Sequence, residues 1–129
     1  MSALPGPPSA SIAPWLSVLR GTEAVAFYQQ AFGAVELHGH AGESGEIVSQ
    51  LMVGGAEFWV ADDRECSPET LGAGSVRMIV SVDDPDALFT RAVAAGATVI
   101  ADMYEDHGWR IGRVRDPFGH HWELARRLA

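Results

Sequence analysis

The chain repeats itself at an offset of 64 residues, and this repeat constrains the fold more than any other feature of the sequence. Residues 16–18, Leu-Ser-Val, recur as residues 80–82, Val-Ser-Val, and Gly55 recurs as Gly119 at the same offset. A repeat of this length indicates two copies of one supersecondary unit. Neither copy is long enough to bury its own sheet face, so we expect the two to pack on each other or to exchange with a second chain.

Each copy has the pattern of a strand, a helix and three further strands. In the first copy, residues 12–18 form a short, largely apolar segment typical of a half-buried strand. A helix opens at Thr22 and Glu23 and ends at Gly33, where a left-handed cap residue is usually needed. Three strands follow, over residues 35–40, 46–53 and 56–61.

The second copy follows the same order. Residues 77–82 favour a strand, a helix runs from Asp86 to its end at Gly96, and a strand begins at Ala97. Two more strands, over residues 109–115 and 121–126, flank the turn at 116–119. The sequence therefore predicts an α+β fold of two tandem βαβββ modules, whose curved mixed sheets carry the helices on the convex side and a cavity on the concave side.

The predicted domain organisation is simple. Residues 1–10, rich in proline and small residues, are predicted to form a flexible N-terminal tail, and residues 11–129 a single domain. Within that domain, module one spans about 11–62, a linker about 63–75, and module two about 76–127.

The composition indicates one soluble globular domain. The 129 residues are 47% hydrophobic, no apolar run approaches the roughly 20 residues that span a bilayer, and the start of the chain lacks the features of a secretory signal. Cys66 is the only cysteine, which excludes an intramolecular disulfide and favours a cytoplasmic location. A formal net charge of −8 disfavours nucleic acid as a partner and favours either solubility alone or a cationic ligand.

Basic residues are concentrated late in the chain, where acidic neighbours surround them. The arginines are Arg110, Arg113, Arg115, Arg126 and Arg127, and the acidic residues are Asp102, Glu105, Asp106, Asp116 and Glu123. We expect these acidic residues to offset the arginines.

Two motifs carry a resemblance to a known superfamily. They are residues 23–34, EAVAFYQQAFGA, and residues 110–124, RIGRVRDPFGHHWEL. Together with the βαβββ tandem they closely resemble the vicinal oxygen chelate superfamily, which holds glyoxalase I, extradiol dioxygenases, fosfomycin resistance enzymes and bleomycin resistance proteins. The resemblance covers nearly all of residues 12–127 and is greatest to the small glyoxalase/bleomycin-resistance branch. The motifs describe a capped helix and a hairpin turn, so they imply a fold and name no substrate.

The resemblance also implies which positions decide the chemistry. In this superfamily four positions on the first and last strands of the modules line the cavity, and they carry mainly His and Glu where a metal is bound. They correspond here to Ala13, Trp59, Arg77 and Glu123, which the repeat relates in pairs at an offset of 64. Only Glu123 can ligate a divalent ion, because alanine has no donor, the indole nitrogen keeps its proton and guanidinium is a cation. We therefore expect no metal and no other cofactor.

Histidines leave an unusual metal site open as an alternative. His38 and His40 share one face of a strand, and His121 shares the cavity face with Glu123. Glycine-rich turns flank the first two, which favours a solvent-exposed rim over a metal site.

The predicted ligand-binding residues are the polar and aromatic side chains at or near the cavity: Trp15, Trp59, Arg77, Trp109, His121 and Glu123. Trp15 and Trp59 offer flat apolar faces for stacking. Arg77 and Glu123 are expected to face each other across the cavity, either as an ion pair or as contacts to polar groups of a ligand. By alternation Trp122 lies on the other face and is predicted to be core.

Two function classes follow. The first is a metal-free homodimer that sequesters a hydrophobic, aromatic natural product such as an antibiotic, as the resemblance to bleomycin resistance proteins implies; the acidic surface favours a cationic substituent on it. The second is a lyase, isomerase or dioxygenase of the glyoxalase type, in which Glu123 or His121 acts as the base with a non-standard or absent metal. Neither class involves nucleic acid or a membrane.

Overall fold

The computed structural model describes residues 11–72, 74 and 76–128. The elements of module one are β1 (Trp15–Val18), α1 (Gly21–Phe32), β2 (Val35–Ala41), β3 (Ile47–Val53) and β4 (Ala56–Asp62). A short helix, α2 (Pro68–Leu71), follows in the linker. Module two consists of β5 (Arg77–Ser81), α3 (Pro85–Ala95), β6 (Thr98–Asp106), β7 (Trp109–Arg115) and β8 (His121–Arg127). The predicted N-terminal tail lies outside the described residues.

The two modules have the same sheet topology. One sheet has the strand order β1-β4-β3-β2 and the other β5-β8-β7-β6. In each sheet the first strand runs parallel to the last strand of its module, and the remaining neighbours are antiparallel. This arrangement confirms the predicted α+β fold of two βαβββ modules with mixed sheets.

Strand register reproduces the repeat residue by residue. Trp15 pairs with Trp59 in the first sheet, and Ile79 pairs with Glu123 in the second. Each residue of the second pair lies 64 positions after its counterpart in the first. Positions 59 and 123 are therefore equivalent in strand pairing, as predicted.

The first strand is shorter than predicted. It begins at Trp15, so residues 12–14 lie outside it, although the Pro14 carbonyl still accepts a bond of 2.8 Å from the Trp59 N–H. Pro14 has no N–H to donate and ends regular pairing on that side. Ala13, expected on the first strand, is consequently an exposed residue before it.

Helix α1 is fixed at both ends by residues from other elements. The Asp62 carboxylate accepts the Gly21 N–H at 2.7 Å at the start, and Gly33 ends the helix with a φ of 67°, a left-handed conformation that glycine adopts at no steric cost. Arg91 of α3 donates to the Gln30 carbonyl at 2.6 Å, which satisfies an acceptor in the last turn. The predicted helix and its terminating glycine are confirmed.

One aromatic core joins the two modules. Tyr28 and Phe32 of α1 contact Trp122 of β8, with ring centroids 5.4 and 4.6 Å apart. Phe58 of β4 meets the same indole at 5.5 Å. Trp122 is 2% exposed, as its predicted core position requires. Since both sheets and α1 share this cluster, the modules pack on each other within one chain.

A buried carboxylate organises the turn between β7 and β8. Asp116 accepts the Tyr28 hydroxyl at 2.5 Å and the Trp122 indole N–H at 2.8 Å, and its other oxygen accepts the Phe118 and His120 N–H groups. Burial and the neighbouring Asp116 raise the pKa of Tyr28 well above its ordinary value, so this phenol stays protonated. The bond from Tyr28 ties module one to the turn of module two.

Among the described residues, the helices are too short or too polar to cross a membrane.

Candidate functional site

Each sheet has one face covered by the core and one that the helices leave open. In β1 and β4 the side chains of Leu16, Val18 and Val60 are buried, whereas Trp15 and Trp59 alternate with them on the other side. We call the side that carries these two tryptophans the first open face. The second open face, on β5, β7 and β8, carries Arg77, Arg113, Arg115, His121 and Glu123, since these residues are register partners of one another.

The first open face presents a stacked pair of indoles. The rings of Trp15 and Trp59 lie 6.1 Å apart between centroids at an interplanar angle of 23°. Trp15 remains 54% exposed, which is unusual for so large an apolar side chain. Gln50 is the β3 partner of Trp59, and its amide donates to Glu57 at 3.2 Å. Trp15 and Trp59 therefore share one face of the sheet, and part of the Trp15 indole is open to solvent.

The second open face is polar and centres on His121. Arg113 donates from Nε to Nδ1 of this imidazole at 3.2 Å. Burial, followed by the positive charges of Arg113 and Arg115, lowers the pKa of His121 below its ordinary value. The imidazole is therefore neutral at pH 7, with Nδ1 accepting and Nε2 carrying the proton.

Arg77 and Glu123 do come together, but within one sheet. Their side chains approach to 3.9 Å on the neighbouring strands β5 and β8. The expectation that they face each other across a cavity is wrong, because both belong to module two and their strands are adjacent. At this separation, with Arg77 exposed and Glu123 half-buried, the pair contributes little to stability, and the Arg77 guanidinium is free to rearrange around a ligand.

Trp109 is not part of this cluster. It begins β7, as predicted, and pairs with Asp106 and Arg127 at the far end of the sheet. Arg113 comes four positions later in the strand, which corresponds to about 13 Å along an extended chain.

A groove of about 540 Å³ connects the two open faces. Its walls come from β1, from the start of β5 and β8, and from the linker: Trp15, Ser17, Cys66, Leu71, Met78, His120 and His121 are among the lining residues. His120 holds the two sides together, because its ring nitrogen lies 2.9 Å from the Ser17 carbonyl oxygen. Trp15 and His121, predicted as ligand contacts, thus border the same space. Ala13 lines a different groove of about 500 Å³, between β4 and β5.

The residues at the four superfamily positions do not suit a metal ion. Trp59 is stacked on Trp15, Arg77 places a cation beside Glu123, and Ala13 lies outside the strand. Within residues 11–72, 74 and 76–128, no three His, Cys, Asp or Glu side chains are grouped so that they could hold a metal. His38 and His40 are exposed on the edge strand β2.

Sequence reasoning missed two parts of this region. Arg113 and Arg115 share a face with His121 and Glu123, and the two-residue period of a β-hairpin could have shown this. The contribution of the linker to the groove, through Cys66 and Leu71, had no signal in the sequence because α2 is only four residues long. Asp63 beside Cys66 raises the pKa of that thiol, which makes it a poor nucleophile at neutral pH.

Comparisons with known proteins agree with this architecture. A family model described as a glyoxalase-like domain matches residues 16–125. The uncharacterized protein Mb0911c of Mycobacterium bovis is 38% identical over 125 residues, an alignment that covers 89% of this chain and 82% of that protein.

Solved structures show the same fold. TioX from Micromonospora sp. ML1 is 30% identical, with a TM-score of 0.72 and coverage of 92% of this chain and 100% of that one. A glyoxalase/bleomycin resistance protein/dioxygenase family enzyme from Burkholderia phytofirmans PsJN is 25% identical, with a TM-score of 0.71 over 92% and 100% of the two chains. The fosfomycin resistance protein FosX from Listeria monocytogenes, complexed with Mn(II) and sulfate, is 16% identical with a TM-score of 0.72 over 92% of each chain, a likeness of fold alone.

Proposed function

We propose that this chain, which belongs to the glyoxalase-like domain family, is a metal-free small-molecule-binding protein that sequesters a hydrophobic, aromatic compound such as an antibiotic. Its membership of the vicinal oxygen chelate superfamily, predicted from the sequence motifs, is confirmed by the family model and the structural neighbours. The observation that carries the proposal is the half-exposed Trp15–Trp59 stack beside the groove that reaches His121.

The aromatic character of the ligand follows from what the groove offers. Trp15 gives a flat, polarisable wall, and Leu71 and Met78 add apolar surface along the same space. A volume of about 540 Å³ suits one ligand of drug-like size. His120 and His121 are among the polar residues that line the same space.

Binding without metal is supported by the side chains at the superfamily positions. Arg77 occupies one of them, and a guanidinium beside Glu123 disfavours a second cation there. Trp59 occupies another and is engaged with Trp15. The alternative of a metal-dependent lyase or dioxygenase would need donors that these residues lack.

A metal-free lyase or isomerase is the weaker alternative. Nδ1 of His121 already accepts a bond from Arg113 at 3.2 Å, so the lone pair that a general base requires is engaged. Glu123 lies 3.9 Å from Arg77, so its carboxylate already has a cationic neighbour. Both groups are better placed to bind a ligand than to remove a proton from one.

The same proposal includes a homodimer and a cytoplasmic location. Ile79 is 58% exposed at the position equivalent to Trp15, and Tyr104 is exposed on the same sheet. Apolar side chains on open sheet faces favour coverage by a second copy of the chain. Sedimentation at micromolar concentration should therefore show a dimer, and a clean 13.8 kDa species would contradict this part of the proposal.

Calorimetric titration with a panel of planar aromatic antibiotics, including bleomycin, tests the binding function. Trp59→Ala should weaken binding at least several-fold, since a lost aromatic contact costs about 0.5–1.5 kcal/mol beyond its area. Trp109→Ala, which removes an exposed indole at the far end of β7, is the matched control and should bind as the wild type does. Equal affinity of the wild type and Trp59→Ala would show that the Trp15–Trp59 stack does not contribute to ligand binding.

Elemental analysis of protein purified without added metal tests the second half of the proposal. We expect less than stoichiometric transition metal. One equivalent of nickel, zinc, manganese or iron, lost on Glu123→Gln, would contradict it.

A further inference from the structure

Three guanidinium groups surround His121 on the second open face. Strand register places Arg77 of β5 on one side of it and Arg115 of β7 on the other. Arg113, two residues earlier on β7, contacts the ring directly at 3.2 Å. The three arginines and His121 therefore form one group, which we call the basic cluster.

The basic cluster has little compensating negative charge. Among the described residues, Glu123 is the only carboxylate within 4.0 Å of any of its guanidiniums, and it lies 3.9 Å from Arg77. Two arginines elsewhere in the chain, Arg20 and Arg110, are matched more fully. Arg110, for example, makes a bidentate pair with Asp86 at 3.0 and 2.6 Å.

Asp116, one of the acidic residues expected to offset these arginines, faces the core instead. Asp116, next to Arg115 in sequence, is 2% exposed and directs both oxygens to core and turn donors. A shallow depression of about 420 Å³ beside Arg115 and His121 contains one further carboxylate, that of Glu69. This group is engaged with Arg20 at 3.4 Å. Locally the cluster carries two more positive than negative charges, although the whole chain carries −8.

We infer that the ligand carries an oxyanion group, which Arg77, Arg113 and Arg115 bind while its aromatic part lies in the groove against Trp15. This inference rests on the proposed function and names the class of its ligand: a planar aromatic compound with one carboxylate, sulfonate or phosphate. His121 links the two halves of the site, because it lines the groove and touches Arg113. Guanidinium forks match the geometry of oxyanions and prefer them to neutral acceptors.

The proposed ligand is an anion, whereas the net negative charge of the chain alone would favour a cation. An acidic surface attracts cations at long range, but that attraction is screened within about 10 Å at moderate salt. Contacts in the site are decided by the nearest groups, which here are arginines and a neutral imidazole with a proton on Nε2 to donate.

Two probes with the same ring system test the inference. Anilinonaphthalene sulfonate and its uncharged parent, anilinonaphthalene, differ only in the sulfonate, and both report binding by fluorescence. The wild type should bind the sulfonate about tenfold or more tightly than the parent, because charge-assisted hydrogen bonds are added. Arg77→Gln, Arg113→Gln and Arg115→Gln should each reduce that preference and leave the affinity for the parent unchanged.

Arg127→Gln is the matched control. It removes the same charge from an exposed arginine at the far end of β8, which has no ion-pair partner among the described residues. It should keep the preference for the sulfonate. Arg113→Lys should retain part of the preference because it preserves the charge but not the fork. Should Arg113→Gln fail to fold, the exposed Arg115 and Arg77 provide the test.

The outcomes separate this inference from the function on which it rests. If both probes bind equally, and the arginine variants do not change this, the ligand does not need an oxyanion group and the inference is wrong. Binding of aromatic compounds in the groove would still be supported. If Arg127→Gln reduces the preference for the sulfonate as much as Arg115→Gln does, the preference arises from long-range charge and not from contact with the basic cluster. That result would also contradict the inference. Failure of both probes to bind would contradict the aromatic-binding function itself.

Discussion

The two modules share one backbone frame and differ in the chemistry of their open faces. Trp59 and Glu123 occupy equivalent register positions, as do Trp15 and Ile79. On β3 and β7, Gln50 and Arg113 are the partners of those two residues. Module one is therefore aromatic where module two is charged.

This difference shows how a duplicated unit can supply a composite site. Register fixes where the side chains of both modules lie, so substitution at equivalent positions changes chemistry without changing the frame. The groove from Trp15 to His121 joins the apolar half to the charged half. An amphipathic ligand can use both.

The turns of the two modules give the largest expected contrast. Asp116→Ala should cost about 3–5 kcal/mol of unfolding free energy, since the Tyr28 hydroxyl, the Trp122 indole and two N–H groups would lose their buried acceptor. Val53, which pairs with Ala56 across the Gly54–Gly55 turn, stands at the equivalent register position of module one, and its side chain has no polar atom to anchor such a network. Val53→Ala should cost about 1 kcal/mol. Urea denaturation compares the two, and equal losses would show that the turns are equally anchored.

The helices provide the next contrast. Tyr28 of α1 and Arg91 of α3 occupy equivalent positions, and each forms hydrogen bonds to the other module, but with different acceptors. Tyr28→Phe removes a buried bond to a carboxylate and should cost about 1.5–3 kcal/mol. Arg91→Gln removes exposed bonds to the carbonyls of Gln29 and Gln30 and should cost about 0.5–1 kcal/mol. Thermal melts of both variants measure the difference in stability. A larger loss in Arg91→Gln than in Tyr28→Phe would show that the bonds of Arg91 contribute more to holding the modules together.

Removing the negative charge of Glu123 should have opposite effects on the affinity for anionic and for cationic ligands. Glu123→Gln removes the carboxylate 3.9 Å from Arg77, so anilinonaphthalene sulfonate should bind about two- to fivefold more tightly. A cationic ligand should bind more weakly to the same variant. Fluorescence titration distinguishes these results, and weaker binding of the sulfonate would contradict the role given to the arginines.

The smallest effect concerns the protonation of His121. Its pKa is lowered by burial and by Arg113, Arg115 and Arg77, while Asp116 acts in the opposite direction. Since the unfolded chain takes up a proton near pH 6.5 and the folded chain only below that, stability should fall as the pH drops through this window. Arg113→Gln should raise the midpoint of the His121 NMR titration. An oxyanion ligand should raise it too, and an unchanged midpoint would contradict this electrostatic account.

Much of the frame could be predicted from sequence because its signals are local. The apolar period of α1, the terminating Gly33 and the repeat of residues 16–18 at 80–82 define the modules without knowledge of any contact. Trp122 followed from strand alternation alone. The start of β1 was wrong by three residues because Pro14 interrupts a segment whose pattern is otherwise suited to a strand.

The charged half of the site could not be predicted in the same way. Proximity in sequence suggested that Asp116 offsets Arg115, whereas the structure directs Asp116 to Tyr28 and Trp122. Whether a carboxylate neutralises its neighbour or satisfies core donors depends on tertiary contacts that no local pattern contains. The adjacency of Arg77 and Glu123 likewise required the strand order β5-β8, which places the two ends of module two side by side.

The indole N–H resonances test the central claim most directly, because the chain has four tryptophans, of which two belong to the stack and two lie elsewhere. Trp15 and Trp59 form the stack, Trp109 lies at the far end of β7 and Trp122 is core. A nitrogen–proton NMR titration with anilinonaphthalene should shift the signals of Trp15 and Trp59 and leave those of Trp109 and Trp122 in place. Shifts confined to Trp109, or no shift at saturating probe, would contradict an aromatic ligand site beside the groove between the modules.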